Sequence, residues 1–208
     1  MGLQLERFPL FPLGLVLLPA EVVPLHIFEE RYKQMIGECL DEESEFGIVW
    51  LADDGLKETG CSARIAQVLE RTDDGRMNIL VQGTTPFRLE RRIDDLPYPA
   101  GDVELLEEQD EGEPAEAGDE ARDRYADLVE RVTDSRPSDE DLTALDAYGM
   151  AATLDFALEA KQDLLELRSE RERLERLAEL FEATIERVEE AERVAERARG
   201  NGRVRFDG

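Results

Sequence analysis

Basic residues are scarce in this chain, and lysine is scarcest. Against 51 Asp and Glu stand 25 Lys and Arg in 208 residues, with Lys only at positions 33, 57 and 161. A formal net charge of −26 repels nucleic-acid phosphates and anionic membranes, so neither is expected as a partner. Excess carboxylate with few lysines resembles the composition of proteins from salt-accumulating halophiles, where molar salt screens self-repulsion. Cysteine is nearly missing: Cys39 and Cys61 make no disulfide framework and read as buried free thiols. Histidine occurs once, at His26, and one imidazole with two distant thiols has no zinc-ligand spacing. No Gly-x-x-x-x-Gly-Lys-Ser/Thr occurs, which excludes a P-loop motor. None of the lysines has a serine beside it in an apolar setting, as an activated Ser-Lys pair would need. No catalytic residue, metal or cofactor is therefore expected. Long apolar runs are missing too. Phe8 to Ala20 is uncharged but far short of the about 20 residues that span a bilayer. Glu6 and Arg7 give it no positive leader, so a cytoplasmic protein is expected.

What is present begins with proline. Pro9, Pro12, Pro19 and Pro24 fall among Leu, Val and Phe, and each would cost a helix about 3 kcal/mol. The segment must be short extended pieces. A helix follows from Glu29 to about Leu40, with Tyr32, Met35, Ile36 and Cys39 on one face. Phe46–Leu51 reads as a buried strand. Ser62–Glu70 and Met77–Gly83 form a hairpin about Asp73-Asp74-Gly75, where glycine supplies the positive φ. Further strands are expected at Thr85–Ile93 and Asp102–Leu106.

From Glu107 to Asp119 apolar periodicity vanishes into acidic residues, Gly and Pro, the pattern of a solvated linker. Helical spacing then takes over. Tyr125, Leu128, Val129 and Val132 mark one helix. Ser138, with Asp141 three residues on, is expected to cap a second that carries Leu142, Leu145, Gly149, Ala152 and Phe156. One long last helix is expected from about Ala160 to Arg197, its seam running through Leu167, Leu174, Leu177, Phe181 and Val188. Three amphipathic helices suit a small bundle. The expected division is residues 1–106 as a β subdomain, 107–119 as linker, 120–199 as helical bundle and 200–208 as tail.

The opening strand and Pro24-Leu25-His26-Ile27-Phe28-Glu29-Glu30-Arg31-Tyr32 resemble the N-terminal domain of the Lon protease family. Lys161-Gln162-Asp163-Leu164-Leu165-Glu166 strengthens that resemblance, which covers nearly the whole chain. It implies an α+β fold: a PUA-like β pseudo-barrel with one inserted helix, then a helical bundle with a long last helix. It also implies a free-standing substrate-recognition domain without the family's ATPase and peptidase modules. The signature residues Pro24, His26, Phe28, Glu29, Arg31 and Tyr32 read as structural, with Arg31 tied to Glu29 or Glu30 and Tyr32 packed beneath. Phe11, Leu13, Trp50 and Tyr98 are the candidates for an exposed interaction patch, since aromatic anchors dominate interfaces. Three functions stand open. The first is a non-enzymatic module that binds unfolded or extended polypeptide, as an adaptor in protein quality control. The second is self-association through the last helix. The third and weakest is RNA binding, for which only Arg88, Arg91 and Arg92 make a basic cluster.

Overall fold

Prolines in a strand need a flank without a ladder partner, and β1 meets that need by changing neighbours midway. In the computed structural model, which describes residues 2–109 and 115–201, the order is β1 (Gln4–Leu13), β2 (Val22–Ile27), α1 (Glu30–Glu42), β3 (Phe46–Ala52), β4 (Gly55–Arg71), β5 (Met77–Ile93), β6 (Ala100–Leu105), α2 (Ala115–Thr133), α3 (Asp139–Thr143), α4 (Ala147–Ala151), α5 (Leu158–Glu166) and α6 (Glu170–Asn201). The first part of β1, Gln4 to Pro9, pairs antiparallel with β6, and Leu10 to Leu13 pairs parallel with β3. Pro24 lies on β2, which pairs on one side only, with β5.

The sheet order is β2-β5-β4-β3-β1-β6, and a further β5–β6 pairing closes five of the strands into a ring. β5 makes this possible by its length: its first residues pair with β2 and its last, Phe87 to Ile93, with β6. Inside lie Phe8, Leu10, Val49, Phe87 and Val103. Gly60 is required there, because a Cβ would stand 2.6 Å from the Phe87 ring and from the Ile48 carbonyl. The β4–β5 hairpin turns as the sequence implies, with Gly75 at φ 82° and the Arg76 carbonyl accepting from the Thr72 amide. Tyr32, Met35, Ile36 and Cys39 form the buried face of α1.

The chain divides into two compact units, Met1–Asp110 with Leu145–Glu170, and Glu111–Ala144 with Arg171–Gly208. The α+β order is as expected, but the boundaries within it are not. α4 and α5 belong to the unit of the sheet rather than to a helical subdomain over 120–199. The reason is polar as well as apolar. The Lys161 ammonium donates to Glu21 Oε1 at 2.6 Å, and the Gln162 amide donates to the Thr59 carbonyl at 3.2 Å. Leu164 and Leu165 are buried beside them.

α2 starts at Ala115, inside the stretch expected to be linker; residues 110–114 of that stretch and 202–208 of the tail lie outside the described residues. The expected long last helix is two helices, because Leu167 is extended at φ −70°, ψ 136°. Ser169 with Glu172 three residues later has the sequence form of a capping box and restarts the chain. The helix expected after Ser138 is likewise split. Ser138 caps α3, its hydroxyl accepting from the Asp141 amide at 3.2 Å, and Asp146 caps α4, accepting from the Gly149 amide at 2.6 Å.

The second unit is organised by α2 and α6. Arg124 pairs with Glu182 at 2.8 Å and Arg131 with Glu189 at 2.7 Å, so both numbers climb by one heptad. The two helices therefore run parallel, with Tyr125 against Phe181 at 5.6 Å between ring centres. Leu128, Leu174 and Leu177 are buried in this unit.

Candidate functional site

The change of partner along β1 leaves a notch. Past Pro9 the strand no longer pairs with β6, so Phe11 to Leu13 keep β3 on one flank and no strand on the other. The start of α1 comes to that open flank. Tyr32 stacks on Phe11, with ring centres 4.1 Å apart and planes at 29°. The Arg31 guanidinium lies 4.6 Å above the Tyr32 ring and is held by Glu29 Oε2 at 2.8 Å. Burial pushes the Tyr32 phenol up, so it stays a neutral packing and hydrogen-bonding group.

Opposite stand Leu51 and Leu56, cross-strand partners at the end of the β3–β4 hairpin. The groove between has a volume of about 530 Å³, with Leu13, Leu51, Leu56 and Ile93 as walls and Arg31 and Arg92 at the rim. Leu51 is 53 % exposed, a large apolar side chain that the fold leaves uncovered. The groove lies wholly within the first unit.

Leu51 also lines a second concavity of about 700 Å³, formed by Trp50, the hairpin tip and one face of α5. Trp50 is half-buried, with Lys57 Nζ 5.4 Å from its ring centre and bound to Asp54 at 2.8 Å. The Lys57 ammonium holds the Asp54 carboxyl below its ordinary value.

Of the residues singled out from sequence, the structure brings Phe11, Leu13, Glu29, Arg31 and Tyr32 to one groove and Trp50 to its neighbour; Phe11, expected to be exposed, is 6 % exposed and lies under the stacked Tyr32 ring. Tyr98 does not join them. It is 9 % exposed, and its hydroxyl donates to Glu38; burial and that bond push the Tyr98 phenol up, while the bond holds the Glu38 carboxyl down. Pro24 and His26 lie along β2, with His26 Nδ1 2.6 Å from Asn78 Oδ1, its cross-strand partner. Phe28 stacks on His26 at 5.7 Å and is 58 % exposed. Sequence reasoning missed Leu51 and Leu56. The available signal was their position, since apolar residues flanking Asp53-Asp54 at a hairpin end have no further sheet to cover them.

Cys39 and Cys61 are buried, and burial raises both thiols, so neither is poised as a nucleophile. Among the described residues no group of three His, Cys, Asp or Glu is placed to hold a metal ion, and no helix is long and apolar enough to cross a membrane.

Comparison with known proteins gives one answer. The family model of the ATP-dependent protease La (LON) substrate-binding domain matches residues 7–183. Lon protease 1 of Hydrogenovibrio crunogenus is 24 % identical over 88 % of this chain, and the Lon protease of Paraburkholderia phytofirmans 25 % identical over 89 %. The chain spans about a quarter of the length of these two relatives. A Lon N-terminal domain protein from Xanthomonas campestris superposes with TM-score 0.64 at 26 % identity, covering 83 % of this chain and 97 % of that one. The N-terminal domain of the Mycobacterium avium complex Lon protease shares the fold, with TM-score 0.64 at 20 % identity over 85 % of this chain and 98 % of that one.

Proposed function

The chain belongs to the LON substrate-binding domain family, and on that premise we propose that it binds extended or unfolded segments of other polypeptides in the groove beside Phe11, Leu13 and Leu51, without chemistry of its own. The observation that carries this reading is the uncovered Leu51 beside Leu13 in the lining of an open groove. A protein of charge −26 gains nothing from attracting acidic clients, so affinity must come from burying side chains. Each large apolar group contributes roughly 1.5–3 kcal/mol, and ordering the peptide takes much of that back. Two or three contacts leave micromolar binding, which suits a domain that must release its client. In protein quality control such a module acts as an adaptor that presents clients.

The test is fluorescence anisotropy with a labelled peptide from a denatured protein and with an RNA oligomer, each over a potassium chloride series. Salt should preserve or strengthen peptide binding, and Leu13→Ser with Leu51→Ser should weaken it at least about ten-fold, the loss of one well-buried apolar contact. Unchanged affinity in that double variant, or binding of RNA alone that salt abolishes, refutes the reading. A second reading, self-association through α6, is favoured by one observation: α6 continues beyond Glu189, which pairs with Arg131 of α2, and there carries Val194 at 53 % exposure.

A further inference from the structure

The concavity that shares Leu51 with the groove has its own chemistry. Its walls are Asp53 and Asp54 at the hairpin tip and Glu159, Asp163 and Glu166 on α5. Positions i, i+4 and i+7 put those three carboxylates on one helical face, where like charges repel. One lysine and no arginine are among the lining residues. Three carboxylates elsewhere in this unit pair with arginine, in Arg7–Asp95, Arg31–Glu29 and Arg91–Asp102. Among the described residues Asp53 and Glu159 have no ion-pair partner.

Two further observations point to a cationic donor as the ligand. Lys57 already rests over the Trp50 ring, so that face accepts a cation. Gln162 is 5 % exposed and lines the same hollow, yet its Oε1 has no hydrogen-bond partner. Its Nε2 donates to the Thr59 carbonyl and to Glu166 Oε1, at 3.2 and 2.7 Å. Flipping the amide would set its oxygen against two acceptors, so the orientation is fixed and the missing partner is a hydrogen-bond donor.

We propose that this concavity takes an arginine side chain of the bound polypeptide, next to the apolar residue held in the groove. The planar guanidinium stacks on Trp50, bridges Asp53 and Glu159, and brings the donor that the Gln162 side lacks. Lysine, a point charge with no planar face, fits less well. The inference rests on the polypeptide-binding reading of the groove and deepens it into a preference for basic residues beside apolar ones.

Three peptides of one apolar sequence, carrying Arg, citrulline or Glu at a single position, test it by anisotropy at high potassium chloride, where general attraction to an acidic protein is screened. The Arg peptide should bind about ten-fold tighter than its neutral isostere citrulline, the scale of a charge-assisted, stacked contact. Asp53→Asn with Glu159→Gln should reduce the Arg-over-citrulline ratio to near one, and Trp50→Leu should weaken binding of the Arg peptide. Asp41→Asn with Glu42→Gln, the same charge change outside the hollow, should keep the ratio. Equal binding of the Arg and citrulline peptides overturns this inference alone, as does loss of the preference in the Asp41/Glu42 control. Failure of all three peptides to bind overturns the groove reading and this inference with it.

Discussion

Lys161→Met asks whether α5 is fastened to the sheet by charge. The ammonium is 2.6 Å from Glu21 Oε1, with the two side chains only 9 % and 14 % exposed. The other Glu21 oxygen accepts from the Leu18 amide at 2.9 Å. Methionine keeps the stem and its packing, so the substitution removes the charge without opening a cavity. Breaking a buried pair from one side costs about 3–5 kcal/mol, because a charge is left stranded. The Leu18 amide and the residual contact with water place this case at the lower end, about 3 kcal/mol. At 2–4 °C per kcal/mol for a domain of this size, Tm should fall by roughly 6–12 °C. Trp50, the only tryptophan, lies beside α5 and reports the event directly by its fluorescence during thermal or urea unfolding. High salt is the right condition, since it screens the surface and leaves the buried pair. Adding Glu21→Gln should recover more than half of the loss, as the penalty belongs to the stranded carboxylate. A loss below about 1 kcal/mol, the value of an exposed pair, would refute the reasoning, and so would a double variant destabilised by the sum of the two single changes.

Two further outcomes follow from the charges. The Thr72 hydroxyl, with help from Arg76, holds Asp74 down at about 2. A depressed carboxylate adds stability that is full above its unfolded value of about 3.9 and is lost as pH falls through about 2. In an NMR titration of Thr72→Val, Asp74 should move back toward the ordinary carboxylate range; an unmoved midpoint would deny the hydroxyl its part. Tm of the parent protein should rise with potassium chloride into the molar range, since most of its 51 carboxylates are exposed to one another's field. A flat or falling Tm removes the halophile-like reading of the composition.

Much of the first unit was legible because its signals are local. Prolines forbid helix, Asp73-Asp74-Gly75 makes a turn, and the spacing of Tyr32, Met35, Ile36 and Cys39 defines a face. The placement of α5 was not legible, because its periodicity identifies Leu164 and Leu165 as buried but not what buries them. Lys161 and Gln162, the residues that dock it, belong to types that a sequence reading assigns to solvent. The break before α6 was visible in Ser169 and Glu172 but was outweighed by a heptad count running through Leu167. In the groove, Phe11 and Leu13 stood out as apolar residues in an unusual segment. Leu51 and Leu56 carried a signal in their place at a hairpin end, but that β6 leaves β1 at Pro9 and opens a groove beside them is a tertiary event that local pattern does not show.

The interleaving of the two units bears on how the chain is made. Glu21 and Lys161 are 140 residues apart, and Thr59 waits 103 residues for Gln162. A ribosome adding about 5–20 residues per second separates Glu21 from its partner by roughly 7–28 s. The strands are complete in sequence at Leu105, so for roughly the last 3–11 s of that interval one of their faces lacks its cover while the chain passes through residues 111–144 of the other unit. Such non-local closure is slow by nature. A fragment ending in the acidic stretch after Leu106 would carry that unfinished face permanently, with Glu21 lacking its lysine and the Thr59 carbonyl undonated.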